Sequence, residues 1–287
     1  MKKISKDTIA KAIFLSCAGI SAVMTSAVFL FMIVLVLPLF RKGSFMDIWM
    51  GTWSPSQGVF GIGHMIAGTL WIAVPAVLLS LPLSLGTSFV IAGLGGPRLR
   101  GMLISLVRFM TGIPTVIYGF LGIFLLVPLI REELGGPGMS VLAASMVLAV
   151  LITPTMVLFF SHSLMAVDPA HVQAARALGA GRIQRLLYVM LPEALGGMAT
   201  GLVLALGRAL GDTLIALMLA GNALGMPTGF LDPARTLTGH IALVQAADYD
   251  SLEFRSIFAC GIALYLFTTA SVIAVRFIGR GKKEAAA

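Results

Sequence analysis

Arg208 and Asp212 are the strong charges set deepest within an apolar stretch of this 287-residue chain, the run 194–222. Four residues apart, they fall one helical turn apart and on one face of a helix. An isolated charge at the middle of a bilayer costs from about 3 kcal/mol upward, so the two should pair or face a wet cavity. One reading is a self-neutralising structural ion pair. The other is an anion relay, in which a planar guanidinium offers donors matched to a tetrahedral oxyanion. Asp212 would then balance that charge when the path is empty. Thr213 and Asn222 could add neutral donors beside them. Thr115 and Tyr118 follow a Gly112-Ile113-Pro114 break and either line the same path or pack with their hydroxyls bonded to a neighbouring helix. Arg108 reads first as an anchor that snorkels to the membrane interface.

The elements that must hold these residues are membrane spans. Hydrophobic residues make up 58% of the chain, charged residues 11%, and the mean hydropathy is +1.00, which excludes an ordinary soluble domain. Runs free of Asp, Glu, Lys and Arg extend over 12–40, 48–97, 109–130, 134–167 and 256–275. Each reaches the ~20 residues a helix needs to cross hydrocarbon. The expected spans are 12–40, 64–94, 103–130, 139–163, 194–222 and 256–278. The fold class is thus all-α, a polytopic membrane protein with six transmembrane helices. Pro75 and Pro82 mark the second span, and Gly112-Ile113-Pro114 is where the third could break.

Net charge is +8, yet its distribution is that of a membrane topology and not of a nucleic-acid surface. Lys2, Lys3, Lys6, Lys11, Arg98, Arg100, Arg176, Arg182, Arg185, Arg276, Arg280, Lys282 and Lys283 fall at alternate ends of the spans. Basic loops mark the cytoplasmic side, so both termini are expected there. The first apolar run is too long for a cleaved leader and reads as a retained helix. Cys17 and Cys260 lie inside spans and read as small packing residues. The organisation expected is an N-terminal helix with an outer segment over 1–63, a core over 64–280, and a short cytoplasmic tail over 281–287.

Between the fourth and fifth spans lies a basic segment, Gln173–Pro192, reading QAARALGAGRIQRLLYVMLP. Asp168-Pro169 supplies an N-cap followed by proline at the first helical position. Gly179 and Gly181 should break the helix, giving two short helices joined by a glycine elbow, with Leu191-Pro192 closing the segment. A membrane protein has little reason to keep such a segment in water unless something docks on it. The chain shows no phosphate-binding glycine loop, no nucleophile elbow and no paired carboxylates, and His64, His162, His171 and His240 have no metal-ligand spacing. It therefore reads as a non-enzyme without an ATPase site of its own.

The segment resembles the EAA coupling loop of importer-type ABC permeases. Ala174, Ala175, Gly179, Val189, Leu191 and Pro192 stand at that motif's spacing, while Gln173 replaces the usual Glu. GIPTVIYGFLGIFLLVPL (112–129) and ALGRALGDTLIALMLAGN (205–222) are similar to permeases of the phosphate (Pst) family, nearer the PstC than the PstA type. That family usually carries Glu where this chain has Asp212. The resemblance spans roughly 64–278 and implies the MetI-like permease fold, in a bacterial cytoplasmic (inner) membrane. It implies that Gln173, Ala174, Ala175, Ala177, Leu178, Gly179, Leu191 and Pro192 of the loop 168–192 couple to an ATPase. It implies that Arg208, Asp212, Thr213, Thr115, Tyr118 and Asn222 line a path for inorganic phosphate. The implied partners are a homologous second permease, expected in a heterodimer, two cytoplasmic ATPase subunits and an extracytoplasmic phosphate-binding protein. The implied cofactors, ATP and Mg, belong to the ATPase, with none in this chain. Alternatives are an ABC permease for molybdate, sulfate or phosphonate, and an ion-gradient-driven secondary transporter.

Overall fold

The computed structural model describes residues 6–42 and 45–284. Lys2, Lys3 and the tail residues 285–287 lie outside the described residues. The helices follow in the order α1 (Lys6–Lys42), α2 (Phe45–Met50), α3 (Gly63–Phe89), α4 (Pro97–Gly112), α5 (Thr115–Leu121), α6 (Val127–Glu133), α7 (Val141–Met165), α8 (Pro169–Ala177), α9 (Arg182–Arg185), α10 (Leu191–Gly211), α11 (Leu214–Leu219), α12 (Leu237–Val244) and α13 (Leu252–Glu284). A two-residue hairpin, β1 (Trp53–Ser54) with β2 (Val59–Phe60), lies in the segment after α2. Six helical stretches are long and apolar enough to cross a membrane: 10–41, 63–94, 115–133, 141–165, 182–211 and 252–274.

Three of the expected boundaries change. The expected third span, 103–130, is two helices. Ile113 and Pro114 adopt extended backbone (ψ 125° and 139°), so α4 ends at Gly112 and the spanning stretch begins at Thr115. The residue before a proline is pushed out of the helical region, which is the cause. The expected fifth span begins earlier, because α9 runs through a π-helical turn, Leu186–Met190, into α10. Leu191-Pro192 therefore does not end the coupling segment, since the widened turn just before it accommodates the proline in a continuing helix. The expected outer loop 223–254 contains α12, whose residues Leu237 and His240 are fully buried.

α7 is the central post. Val141, Ala143, Ile152, Met156, Val157 and Leu164 along it are completely buried, and α3 and α10 pack along its sides. Its polar residues are satisfied within the bundle: Ser145, Ser161 and Ser163 donate to the carbonyls four residues back, and Thr153 Oγ1 lies 2.9 Å from Ser80 Oγ on α3. In a bilayer, small residues allow the close approach that drives helix association. Gly201 shows this, because a Cβ there would fall 2.5 Å from Phe159 Cβ. Gly197 likewise lies against Ser163. The similar spacing of Gly207 and Gly211 does no such packing within the chain, for added Cβ atoms there meet nothing within 4 Å. At the end opposite α8, the first N–H groups of α7 are taken by distant carbonyls. Ser140, Val141 and Leu142 donate to Leu219, Asp232 and Phe230 respectively, at 2.8–3.0 Å.

Candidate functional site

Two interrupted helices meet beside α7. α5 follows the break at Ile113-Pro114, and α11 follows a break at Asp212-Thr213. They pack against each other through glycines: a Cβ on Gly119 would meet Met218 Sδ at 2.5 Å, and one on Gly122 would meet Leu219 at 2.6 Å. Irregular backbone at membrane depth persists only where protein or a water-filled cavity surrounds it. Interrupted helices of this kind are where transporters build cargo sites.

Arg208 and Asp212 do not pair as expected. Asp212 leaves the helix with ψ 125°, so the one-turn geometry that would align the two side chains is lost. Its Oδ1 instead accepts the N–H of Ile215 at 2.8 Å, capping α11, and its carbonyl accepts Thr238 Oγ1 at 2.9 Å. Arg208 is exposed and donates from Nη1 to Thr155 Oγ1 of α7 at 3.2 Å. Thr155 stands ten residues before the end of α7, or about 15 Å along it. Arg208 is thus near half depth, and it is within electrostatic reach of both Asp212 and Tyr118.

The remaining expected path residues fall into two groups. Tyr118 is buried and its hydroxyl donates to the Met110 carbonyl at 3.0 Å, which ties α5 back to α4 across the break. Thr115 opens α5 and Thr213 precedes α11, each at a break. Asn222 stands apart in the segment after α11, with φ 54°. Its Nδ2 donates to the Leu217 carbonyl at 2.7 Å, and its own carbonyl accepts Arg235 Nε at 3.1 Å. Asn222 shapes a loop there, and Asn is one of the few residues that tolerates the left-handed region.

The coupling segment has the expected elbow. Asp168 Oδ1 accepts the Ala170 N–H at 2.8 Å with Pro169 opening α8. Gly179 has φ +87°, and the N–H groups of Gly179 and Ala180 return to the carbonyls of Arg176 and Ala175, both at 3.0 Å. Gly181 then starts α9, its N–H held by Gln184 Oε1 at 2.8 Å. Ala174, Ala177 and Leu178 are exposed, with Leu178 89% accessible. Gln173 is also exposed and lines a cavity at the bundle end, on the face away from Leu178. Leu191 and Pro192 lie within the α10 stretch and not on the elbow.

Sequence spacing gave no sign of one contact. His171 Nδ1 of α8 lies 3.0 Å from Glu193 Oε2 of α10, joining residues 22 positions apart across the elbow. The Glu193 hydrogen bond, and then its charge, holds the His171 imidazole above its ordinary pKa. Thr155 was also invisible, since a lone threonine in an apolar helix carries no signal.

Interrupted helices around a half-depth arginine, on a six-span bundle bearing an exposed glycine elbow, define a helical membrane transport subunit. The family model of the binding-protein-dependent transport system inner membrane component matches residues 84–284. The chain belongs to that family of ABC importer permeases, and its place is the inner membrane, which it crosses several times. It is 28% identical over 235 residues to the probable ABC transporter permease protein YqgH of Bacillus subtilis, covering 80% of this chain and 76% of that protein. It is 27% identical over 250 residues to the phosphate transport system permease protein PstC of Pasteurella multocida, covering 80% and 78%. The resemblance to phosphate-system permeases read from 112–129 and 205–222 agrees with these relatives. Among solved structures, a bacterial alginate ABC transporter superposes with a TM-score of 0.67 at 18% identity, covering 97% of this chain and 98% of that one. The MetNI methionine transporter superposes at 0.58 with 20% identity, covering 79% and 99%. These two likenesses show the MetI-like permease fold.

Proposed function

We propose that this permease subunit moves inorganic phosphate inward by alternating access, driven by ATP that separate subunits bind with Mg and hydrolyse. The observation carrying the proposal is Arg208. Its exposed guanidinium stands near half depth beside two helix breaks, anchored to Thr155 and, among the described residues, without a carboxylate salt bridge. An oxyanion meeting it finds charge-assisted donors where the backbone is already open. Thr115, Tyr118 and Thr213 border the same breaks, and Asp212 holds the second break in shape.

The elbow supplies the drive. α8 presents Ala174, Ala177 and Leu178 outward, and α9 runs without interruption into α10, which carries Arg208. A push on α8 from an ATPase is therefore transmitted along one continuous helix to the cargo site. In this reading both termini are cytoplasmic. The partners are two ATPase subunits, a second permease in a heterodimer and an external phosphate-binding protein, in keeping with the relatives named PstC. The core 64–280 carries the path, and 1–63 adds a peripheral helix.

The test is ATP-dependent uptake of labelled phosphate into vesicles holding the reconstituted complex, beside sulfate and molybdate. Phosphate uptake that exceeds the other two and stops with Arg208→Gln supports the proposal. Equal uptake of sulfate or molybdate, or full transport by that variant, ends it.

A further inference from the structure

At the α8 end of the bundle a second cluster of arginines lies well away from Arg208. Arg100 of α4, Arg176 of α8 and Arg185 of α9 line a cavity of about 400 Å³, together with Gln173, Met165 and Met190. Among the described residues the lining holds no carboxylate, and none of the three guanidiniums is in a salt bridge. Arg185 Nε is buried without a hydrogen-bond partner, and Arg100 Nη2 has only the weak acceptor Met165 Sδ at 3.1 Å. Guanidinium stays charged at any physiological pH. Three such groups around one concave space, drawn from three separate helices, repel one another unless an anion joins them. Arg100 and Arg176 are exposed and partly screened by water, whereas the buried Arg185 Nε carries a desolvation cost that an oxyanion would relieve.

Position 173 sharpens the point. Pro169, Val172, Gln173 and Arg176 follow helical spacing and form the α8 face that turns into the cavity. A glutamate at 173 would place a carboxylate there, and this chain has its uncharged isostere. The cavity keeps its positive lining without an internal counter-charge.

We propose that this cavity is an oxyanion site, taking a phosphate group that bridges α4, α8 and α9 behind the coupling helix. The group has two sources, free inorganic phosphate or the headgroup of an anionic lipid. Either would fasten α8 to the bundle on the face opposite Leu178. The site stands on its own geometry and does not depend on the cargo proposed above.

The test is equilibrium binding of radiolabelled inorganic phosphate to the full chain in phosphatidylcholine nanodiscs. Saturable binding should weaken roughly ten-fold or more in Arg185→Gln and in Gln173→Glu, the loss expected for one charged hydrogen bond. Gln173→Glu keeps every arginine and the side-chain shape, so it reports on charge even where Arg185→Gln folds poorly. The variants are compared in an Arg208→Gln background, so that phosphate held at Arg208 is not counted. A second set of discs contains phosphatidylglycerol. If the lipid displaces phosphate from the native chain, the occupant is a headgroup, and if it does not, the occupant is free phosphate. Binding that is unchanged by Arg185→Gln and by Gln173→Glu, or absent from the Arg208→Gln background, overturns the site. A reconstituted complex that fails to carry phosphate while this binding persists removes the proposed cargo and leaves the site intact.

Discussion

Arg208 reaches Thr155, on a different helix, and not Asp212 four residues along its own chain. The contact couples α10 to the central post at the depth where the helices open. Replacing Arg208 by Gln should drop phosphate uptake to background, since no neutral side chain supplies a charged donor fork. Thr155→Val should lower it less, by no more than about 5- to 30-fold, as the guanidinium remains and one hydrogen bond of about 1–2 kcal/mol is lost. Initial uptake rates in vesicles separate the two.

Gly179 adopts φ +87° with open space around its absent side chain. Gly179→Val therefore costs backbone strain, about 1–2 kcal/mol, and not a clash. The elbow will shift while the bundle stays folded. ATP hydrolysis by the assembled complex should continue, with uptake reduced several-fold. Parallel assays of hydrolysis and uptake check this, and normal coupling in the variant would remove the elbow from the drive.

Gly201 and Gly207 make a matched pair for testing helix packing. A Cβ at Gly201 sits 2.5 Å from Phe159 Cβ, whereas at Gly207 it meets nothing within 4 Å. Gly201→Ala should destabilise the chain by about 1–3 kcal/mol through overpacking. Gly207→Ala should be neutral or slightly stabilising, because alanine favours the helix. Thermal unfolding of both variants in one detergent gives the comparison.

The contact between His171 and Glu193 titrates in a defined direction. The folded state holds the imidazole above the ordinary 6.5, so the contact is complete below that value and is released as pH rises through the raised one. Glu193→Gln should bring the His171 titration back toward the ordinary value. Histidine-selective NMR of the full chain reads both midpoints, and identical midpoints would mean that the contact is not made in the membrane.

Much of the architecture was legible because membrane spans are written in the plainest signal a sequence carries, long runs without charge. The elbow was legible as well, since Asp168-Pro169 and Gly179 impose local backbone geometry wherever they occur. Of the two readings of the charge pair, the helical ion pair fails for a physical reason. Helical spacing aligns Arg208 with Asp212 only if the helix continues, and Asp212 itself ends it by turning its carboxylate onto the Ile215 N–H. Proline acted in two ways. Pro114 did break its helix, more completely than a span interrupted at one point, while Pro192 did not, because the π-helical turn before it made room. Contacts between distant segments, such as Arg208 with Thr155 or His171 with Glu193, leave no mark in a single sequence.

The beginning of α7 is fastened to distant carbonyls by the amide groups of Ser140, Val141 and Leu142, and Ser140 Oγ also caps the helix by accepting the Ala143 N–H. Nineteen amino acids share that amide, so the backbone joint is indifferent to side-chain identity, while the full burial of Ser140 and Val141 still excludes charge there. Proline alone lacks the proton. It is normally welcome in the first turn of a helix, yet here each of these positions would exclude it, because a proline removes the donor on which the joint depends.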